Sequence, residues 1–319
     1  MGEQPMFRPE IKVVDCTIRD GGLVNDSNFD LDTVRAAYKA ACDAGIDYVE
    51  LGYKNSKKML DADEFGPWRF CEEDDLKQAT DGIDPQATRL AVMMDAHKSD
   101  PDDLMPAGES VIDMIRCSTY VKDVDKAIHL SNAAVELGYE TCINIMAISQ
   151  EGGLFLDEAL QQLEEETQAN AIYIVDSFGA LYSETVHYLV ERYRMFIKTK
   201  EIGVHMHNNQ QLAYANTIEG IIKGANFLDA TLYGLGRGAG NCPLELLVGF
   251  LKNPKFNIVP ILKVLGERIV PLLHTMDWGY RVPYAITGQL DRHPSAAIDW
   301  LNSDQANDFV SFYTKITED

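Results

Sequence analysis

The chain has 319 residues, 46% hydrophobic and 24% charged, which is enough apolar material to bury a substantial core without disulfides or structural metal. Its 50 acidic and 28 basic residues leave a formal charge of -22. That field repels nucleic-acid phosphates and anionic lipid, so no nucleic-acid or membrane partner is expected, and an anionic substrate needs a local arginine or metal to hold it.

The first ten residues, Met1 to Glu10, are polar and carry two prolines, without the apolar stretch of a secretory leader. Ile11 to Cys16 reads as a short buried strand, Asp20-Gly21-Gly22 as a loop, and Leu31 to Ala44 as a helix stopped by Gly45. Tyr48 to Leu51 is a second strand. Lys54 to Trp68 reads as a long polar loop, and Asp74 to Thr80 as a helix leading to a third strand at Leu90 to Met94. The rhythm then becomes regular. Strands are expected at Val111 to Cys117, Thr141 to Ala147, Ala171 to Val175, Gly203 to His207 and Phe227 to Thr231. Helices follow them at Val124 to Leu137, Phe155 to Thr167, Ser183 to Lys198, Gln210 to Lys223 and from about Pro243.

Eight strand-then-helix units with strands apolar on both faces predict a parallel sheet covered by helices, closed as a (β/α)8 barrel. A dinucleotide-binding sheet is disfavoured because no Gly-rich loop follows the first strand. Residues 1–258 form the expected catalytic barrel. Residues 259–319 form a short C-terminal helical extension around Trp278-Gly279-Tyr280. No apolar run reaches the ~18 residues of a membrane span. Six cysteines (Cys16, Cys42, Cys71, Cys117, Cys142 and Cys242) without CxxC spacing fit reduced, buried thiols in a cytoplasmic protein.

In such a barrel the loops after the strands build the active site. Asp15, Arg19 and Asp20 follow the first strand, Glu50 the second, Asp176 the sixth, His205 and His207 the seventh, and Arg237 and Asn241 the eighth. Two histidines two positions apart on a strand face the same way and offer two imidazoles to one ion. Asp20 would complete the set, with Mn, Mg or Zn as suitable ions. Arg19 is a candidate for oxyanion stabilisation, or for an ion pair bracing Glu50 or Asp15. Cys242 reads either as a thiolate favoured by a helix start or as a packing residue.

These motifs resemble a known group. Asp15-Cys16-Thr17-Ile18-Arg19-Asp20-Gly21 is similar to the strand-one signature of the DRE-TIM metal-dependent lyase and aldolase superfamily, which includes hydroxymethylglutaryl-CoA lyase, 4-hydroxy-2-oxovalerate aldolase and the isopropylmalate and homocitrate synthases. Val204-His205-Met206-His207-Asn208-Asn209 resembles its strand-seven metal motif, Gly234 to Glu245 its strand-eight loop, and Asp176 to Gly179 its strand-six turn. The resemblance implies that Asp20, His205 and His207 bind a divalent metal with Asn241 as a nearby ligand. It also implies that Arg19 stabilises an enolate and that Glu50 belongs to the same cluster. Carbon–carbon bond chemistry on a 2-oxo or hydroxy carboxylic acid follows, with an aldolase-like member expected.

An acetyl-CoA-dependent synthase, or a metal-binding scaffold that has lost proton transfer, are the alternatives. The aldolase branch pairs with an aldehyde dehydrogenase, a partner that nothing in this sequence secures, and a homo-oligomer is compatible with the resemblance. The chain departs from its relatives at the proton-transfer position: the aldolases' His falls on Leu23, the synthases' Glu-Gln on Gly22-Leu23, and the lyases' loop Cys has no counterpart between Arg237 and Gly240. Tyr280, in a stretch similar to the aldolases' C-terminal Tyr segment, is the expected substitute, followed by Tyr284.

Overall fold

A computed structural model of the chain describes residues 8–318, so most of the polar start at Met1 to Glu10, and the final residue, lie outside the described residues. Eight parallel strands close into a barrel in chain order: β1 (Lys12–Asp15), β2 (Tyr48–Tyr53), β3 (Arg89–Asp95), β4 (Met114–Thr119), β5 (Glu140–Ile145), β6 (Ala171–Asp176), β7 (Glu201–Met206) and β8 (Phe227–Ala230). β8 pairs with β1, matching Val13 to Leu228 and Asp15 to Ala230, which completes the ring. The expected (β/α)8 barrel is therefore the observed fold.

The helices form where capping and periodicity place them. After β1 the chain makes the short helical turn α1 (Thr17–Gly21) and then α2 (Leu31–Ala44). Asp30 accepts the Thr33 N–H at 2.8 Å to start α2, and Gly45 stops it in the left-handed conformation at φ 74°. Around the barrel follow α3 (Glu73–Thr80), α4 (Val124–Glu136), α5 (Gly153–Glu166), α6 (Ser183–Phe196), α7 (Ala213–Lys223) and α8 (Leu244–Leu251). α9 (Ile258–Val264) packs on α2, and Ile261, Val264, Ile269 and Trp278 join the main core. The last helices, α10 (Val282–Gln289), α11 (Ser295–Leu301) and α12 (Phe309–Glu318), have a small core of their own around Tyr284, Trp300, Phe312 and Ile316, closed by Ala239 of the strand-eight loop. Among the described residues no helix is long and apolar enough to cross a membrane.

Side chains alternate between the inside and outside of the barrel along each strand. The lower interior layer is apolar: Val14, Tyr48, Ala91, Met114, Cys142, Tyr173 and Phe227 form one cluster, with the Tyr48 and Phe227 rings 5.9 Å apart. It closes the barrel floor. One interior step further along β2, β4 and β8 come Glu50, Arg116 and Asp229, all essentially fully buried. Above that charged layer lies the mouth.

Candidate active site

The stretch after β1 differs from the loop expected at Asp20 to Gly22. The Asp15 carboxylate accepts the Thr17 N–H at 2.9 Å and also the Thr17 hydroxyl, and the Asp20 N–H bonds the Cys16 carbonyl at 2.9 Å. That local capping folds the segment into the helical turn α1 and sets Arg19 and Asp20 over the mouth, 5% and 0% exposed.

From β7, His205 and the residue just past its end, His207, point to the same place, their Nε2 atoms 3.4 Å apart. A carboxylate oxygen of Asp20 and one nitrogen of each imidazole all lie within 4.8 Å of one another. His207 also bridges in antiparallel fashion to Asn241, whose Nδ2 donates to Asp20 Oδ2 and, at 3.2 Å, to the Leu235 carbonyl. Asn241 Oδ1 is buried without a hydrogen-bond partner. The strand-eight loop reaches this close only because residue 236 is glycine: a Cβ there would collide with Asn241 Nδ2 and Asp20 Oδ2.

Below these groups runs a chain of buried ion pairs. Arg19 donates from Nη1 to Asp20 at 2.6 Å and from Nε to Glu50 at 2.7 Å. Arg116 donates from Nη1 to the same Glu50 oxygen at 3.0 Å and from Nη2 to Asp229 at 2.6 Å. The Asp229 oxygen that takes Arg116 also takes His205 Nδ1 at 2.9 Å. The network thus begins and ends on proposed ligands. The acceptor at Nδ1 keeps the His205 proton there and leaves the Nε2 lone pair facing the cluster, the orientation a metal-binding imidazole needs.

The electrostatics agree. Burial alone would raise the Asp20 carboxyl, but Arg19, His207, His205 and Asn241 reverse this and hold it well below the usual carboxylate range. Burial pushes the His207 imidazole well below its ordinary value, assisted by His205 and Arg237 against the opposing pull of Asp20, so it is neutral. Burial would also raise Asp229; Arg116 and His205 outweigh it and keep it at about 2. Asp20, Glu50 and Asp229 set three carboxylates against the guanidiniums of Arg19 and Arg116, an acidic excess that a divalent cation would offset. A buried anion, two facing imidazole nitrogens and the unpartnered Asn241 oxygen together suit a divalent metal.

A second group of candidate ligands, Cys16, His205 and Asp229, is spoken for: Arg116 occupies Asp229, and burial drives the Cys16 thiol up, keeping it protonated.

A cavity of about 250 Å³ opens beside this cluster, lined by Arg19, Asp20, His205 and His207 on one side and by groups from the other strand ends. Its size suits a small molecule. Glu50 lies beneath Arg19 rather than in the cavity wall, and its role is to hold both arginines. Arg19 braces Glu50 and not Asp15. Leu23 lines the wall. Tyr280 is 54% exposed and outside the lining, while Tyr284 is buried in the C-terminal helical cluster and borders a separate pocket shared with Leu23 and Arg237.

Asp176 points away from the cavity: it caps the following turn by accepting the Ala180 and Leu181 N–H groups at 2.9 and 3.1 Å, and burial pushes its carboxyl up to about 7. Cys242 is a packing residue, fully buried with its thiol pushed up to about 12.

Several cavity and network residues escape a motif-based reading, Arg116, Asp229, Arg69 and His293 among them. Arg116 and Asp229 could have been found as charges at interior positions of otherwise apolar strands. Arg69 and His293 also line the cavity, and no local pattern marks them.

A closed parallel barrel with an Asp-His-His cluster at the C-terminal ends of its strands defines the chain as a barrel enzyme of the metal-binding type. It belongs to the HMGL-like family of metal-dependent aldolases and lyases, whose pattern matches residues 10–262. It is 29% identical over 278 residues to 4-hydroxy-2-oxovalerate aldolase of Thermus thermophilus, covering 86% of this chain and 79% of that protein. An oxaloacetate decarboxylase of Mycobacterium tuberculosis is 29% identical over 244 residues, covering 76% of this chain and 70% of the relative. Among solved structures, the N-terminal domain of a candidate aldolase from Bacteroides vulgatus superposes with a TM-score of 0.80 at 29% identity, covering 94% of this chain and all of that one.

Proposed function

We propose that the chain is a divalent-metal-dependent aldolase or lyase that makes or breaks a carbon–carbon bond in a 2-oxo or 2-hydroxy carboxylic acid through an enolate. The observation that carries this reading is the buried Asp20, His205 and His207 cluster with Arg19 held against it by two carboxylates. Asp20, His205 and His207 are the proposed ligands, with Asn241 alongside; the ion, Mn, Mg or Zn, would act as a Lewis acid on the substrate carbonyl.

Arg19 spends Nε on Glu50 and one Nη1 hydrogen on Asp20 and is pinned by both, so its remaining N–H groups line the cavity without rotamer freedom. A fixed cation there stabilises an enolate oxygen as charge develops on it. In the cleavage direction a base takes the hydroxyl proton, the carbon–carbon bond breaks toward the carbonyl, and the enolate carbon is then reprotonated.

His293 is the proposed proton carrier, in place of the histidine that Leu23 replaces and of Tyr280. It is the one imidazole among the described cavity residues outside the proposed ligand set. Arg237, a donor only, lies with Nη1 3.3 Å from the His293 Nε2, and His293 Nδ1 stands 2.9 Å from the Ser295 hydroxyl oxygen, so the neutral ring carries its proton on Nδ1 and keeps Nε2 as the basic nitrogen. Burial and Arg237 lower its pKa, which keeps the ring unprotonated near neutrality and free to accept a proton.

The test is metal analysis of purified protein together with NMR of deuterium uptake into the pyruvate methyl group. Wild-type protein should carry close to one divalent ion per chain and catalyse exchange that a chelator abolishes. His205→Ala and His207→Ala should lose both. Wild-type protein that binds no divalent ion, or exchange indifferent to both substitutions, sinks the proposal. Exchange that requires acetyl-CoA would favour a synthase.

A further inference from the structure

Arg69, on the same cavity as the proposed metal ligands, is a cation with no ion-pair partner among the described residues. Arg69 ends the turn Pro67–Arg69 after β2, and its neighbour Trp68 anchors that turn: the indole is 2% exposed and donates to the Phe29 carbonyl at 2.8 Å. Arg69 is itself 9% exposed, and its guanidinium carbon lies 5.0 and 4.5 Å from the ring centroids of Tyr53 and Phe65. Among the described residues it makes no ion pair, and its Nε is buried without a hydrogen-bond partner.

Every other deeply buried arginine here has carboxylates: Arg19 has Asp20 and Glu50, and Arg116 has Glu50 and Asp229. In a chain of charge -22 a partner was easily supplied, and here none is. A guanidinium held on aromatic faces and taken out of water without an anion is costly unless a ligand provides one. Asn55, 5% exposed, also lines the cavity, as does Lys98 just past β3, which pairs with Asp95 at 3.1 Å and leaves Arg69 as the unpaired cation.

Resting on the proposed function above, we infer that the substrate carries a second anionic group beyond the 2-oxo or 2-hydroxy acid end, and that Arg69 binds it. The first carboxylate lies toward the metal cluster and Arg19. The second, a carboxylate or a phosphate-like group, lies against Arg69, which shares the Tyr53 ring with Arg19. Arg69 is then the residue that separates dianionic from monoanionic 2-oxo acids, since a monoanion leaves it unpaired.

Calorimetric titration of metal-loaded protein tests this with pyruvate, oxaloacetate, 2-oxoglutarate, 2-oxoadipate and 3-phosphonopyruvate. At least one dianion should bind about tenfold or more tightly than pyruvate, and whether the preferred one bears carboxylate or phosphonate identifies the second group. Arg69→Gln should bring that dianion down to the pyruvate level and leave pyruvate affinity unchanged. Equal affinity of all five ligands overturns the inference, as does a substitution that weakens pyruvate and dianion alike. If Arg69→Gln fails to fold, the wild-type ranking and the charge-keeping Arg69→Lys still decide: loss of the ranking in wild type refutes it. Failure of every 2-oxo acid, pyruvate included, to bind metal-loaded protein would instead count against the proposed function.

Discussion

Asp229 is the most informative position to perturb, because one of its oxygens serves both the arginine below and the proposed ligand above. Asp229→Ala removes the acceptor at His205 Nδ1 and leaves Arg116, 0% exposed, with Glu50 alone. Losing the partner that orients a ligating histidine typically weakens metal binding about 10- to 100-fold, or roughly 1.4–2.7 kcal/mol. Breaking a buried pair costs about 3–5 kcal/mol of stability, because a charge is left uncompensated. Asp229→Asn should fall between wild type and Ala. Its amide oxygen can replace Oδ2 for both donors, with the NH2 lying where Asp229 Oδ1 now has no partner, so geometry survives while the charge goes. Chelator competition gives the affinity. Melting must be followed on metal-free protein, since bound metal would stabilise the fold by mass action. Wild-type metal affinity in Asp229→Ala alongside a lowered melting temperature would refute the orienting role. An unchanged melting temperature would refute the ion-pair network itself.

Gly236→Ala should reduce metal affinity at least about tenfold with an unchanged far-UV spectrum, because its methyl group displaces Asn241 and Asp20; wild-type affinity would show that the loop yields. For His293→Gln, the acidic limb of the pH–rate profile, set in wild type by a group titrating below the ordinary imidazole value, should vanish; a limb that persists assigns the proton to another group. Asp176 predicts a pH effect on stability. Its carboxyl is raised from 3.8 to about 7 in the folded state, so the folded protein binds the extra proton, and the stabilisation present below pH 3.8 is lost as pH rises through about 7. Asp176→Asn should melt lower at acidic pH, having one acceptor oxygen for two N–H groups, yet show a flatter decline toward neutrality. An unaltered slope would remove Asp176 as its source.

The sequence was most legible where a local rule and a global one agreed. The helix read at Leu31 to Ala44 with its stop at Gly45 has those same bounds in the structure, where Asp30 caps its start. His205 and His207 were readable because two-residue spacing on a strand fixes a shared direction whatever surrounds it. The same period, applied to the charges, would have exposed more. Arg116 follows Met114 by two positions, and Asp229 follows Phe227 by two, so each continues an interior row and must be paired inside the barrel. Their partners lie 66 and 113 positions away, which no window of sequence joins.

Tyr280 shows the converse. It sits in a stretch resembling a family segment, but the C-terminal helices pack around Tyr284 and leave Tyr280 facing solvent, while His293, between α10 and α11, reaches the cavity.

The Asp20, His205 and His207 constellation was legible in the sequence, since each residue lies at or just past a strand end and barrel closure brings strand ends to one rim, with the turn α1 folding Asp20 over it. What only the tertiary structure decided is how those residues are held and what they face. The bracing of Arg19 by Glu50, the tautomer imposed on His205 by Asp229 and the unpaired cation at Arg69 depend on contacts between different strands and loops. Such contacts arise from packing in three dimensions, and the spacing of residues along the chain carries no record of them.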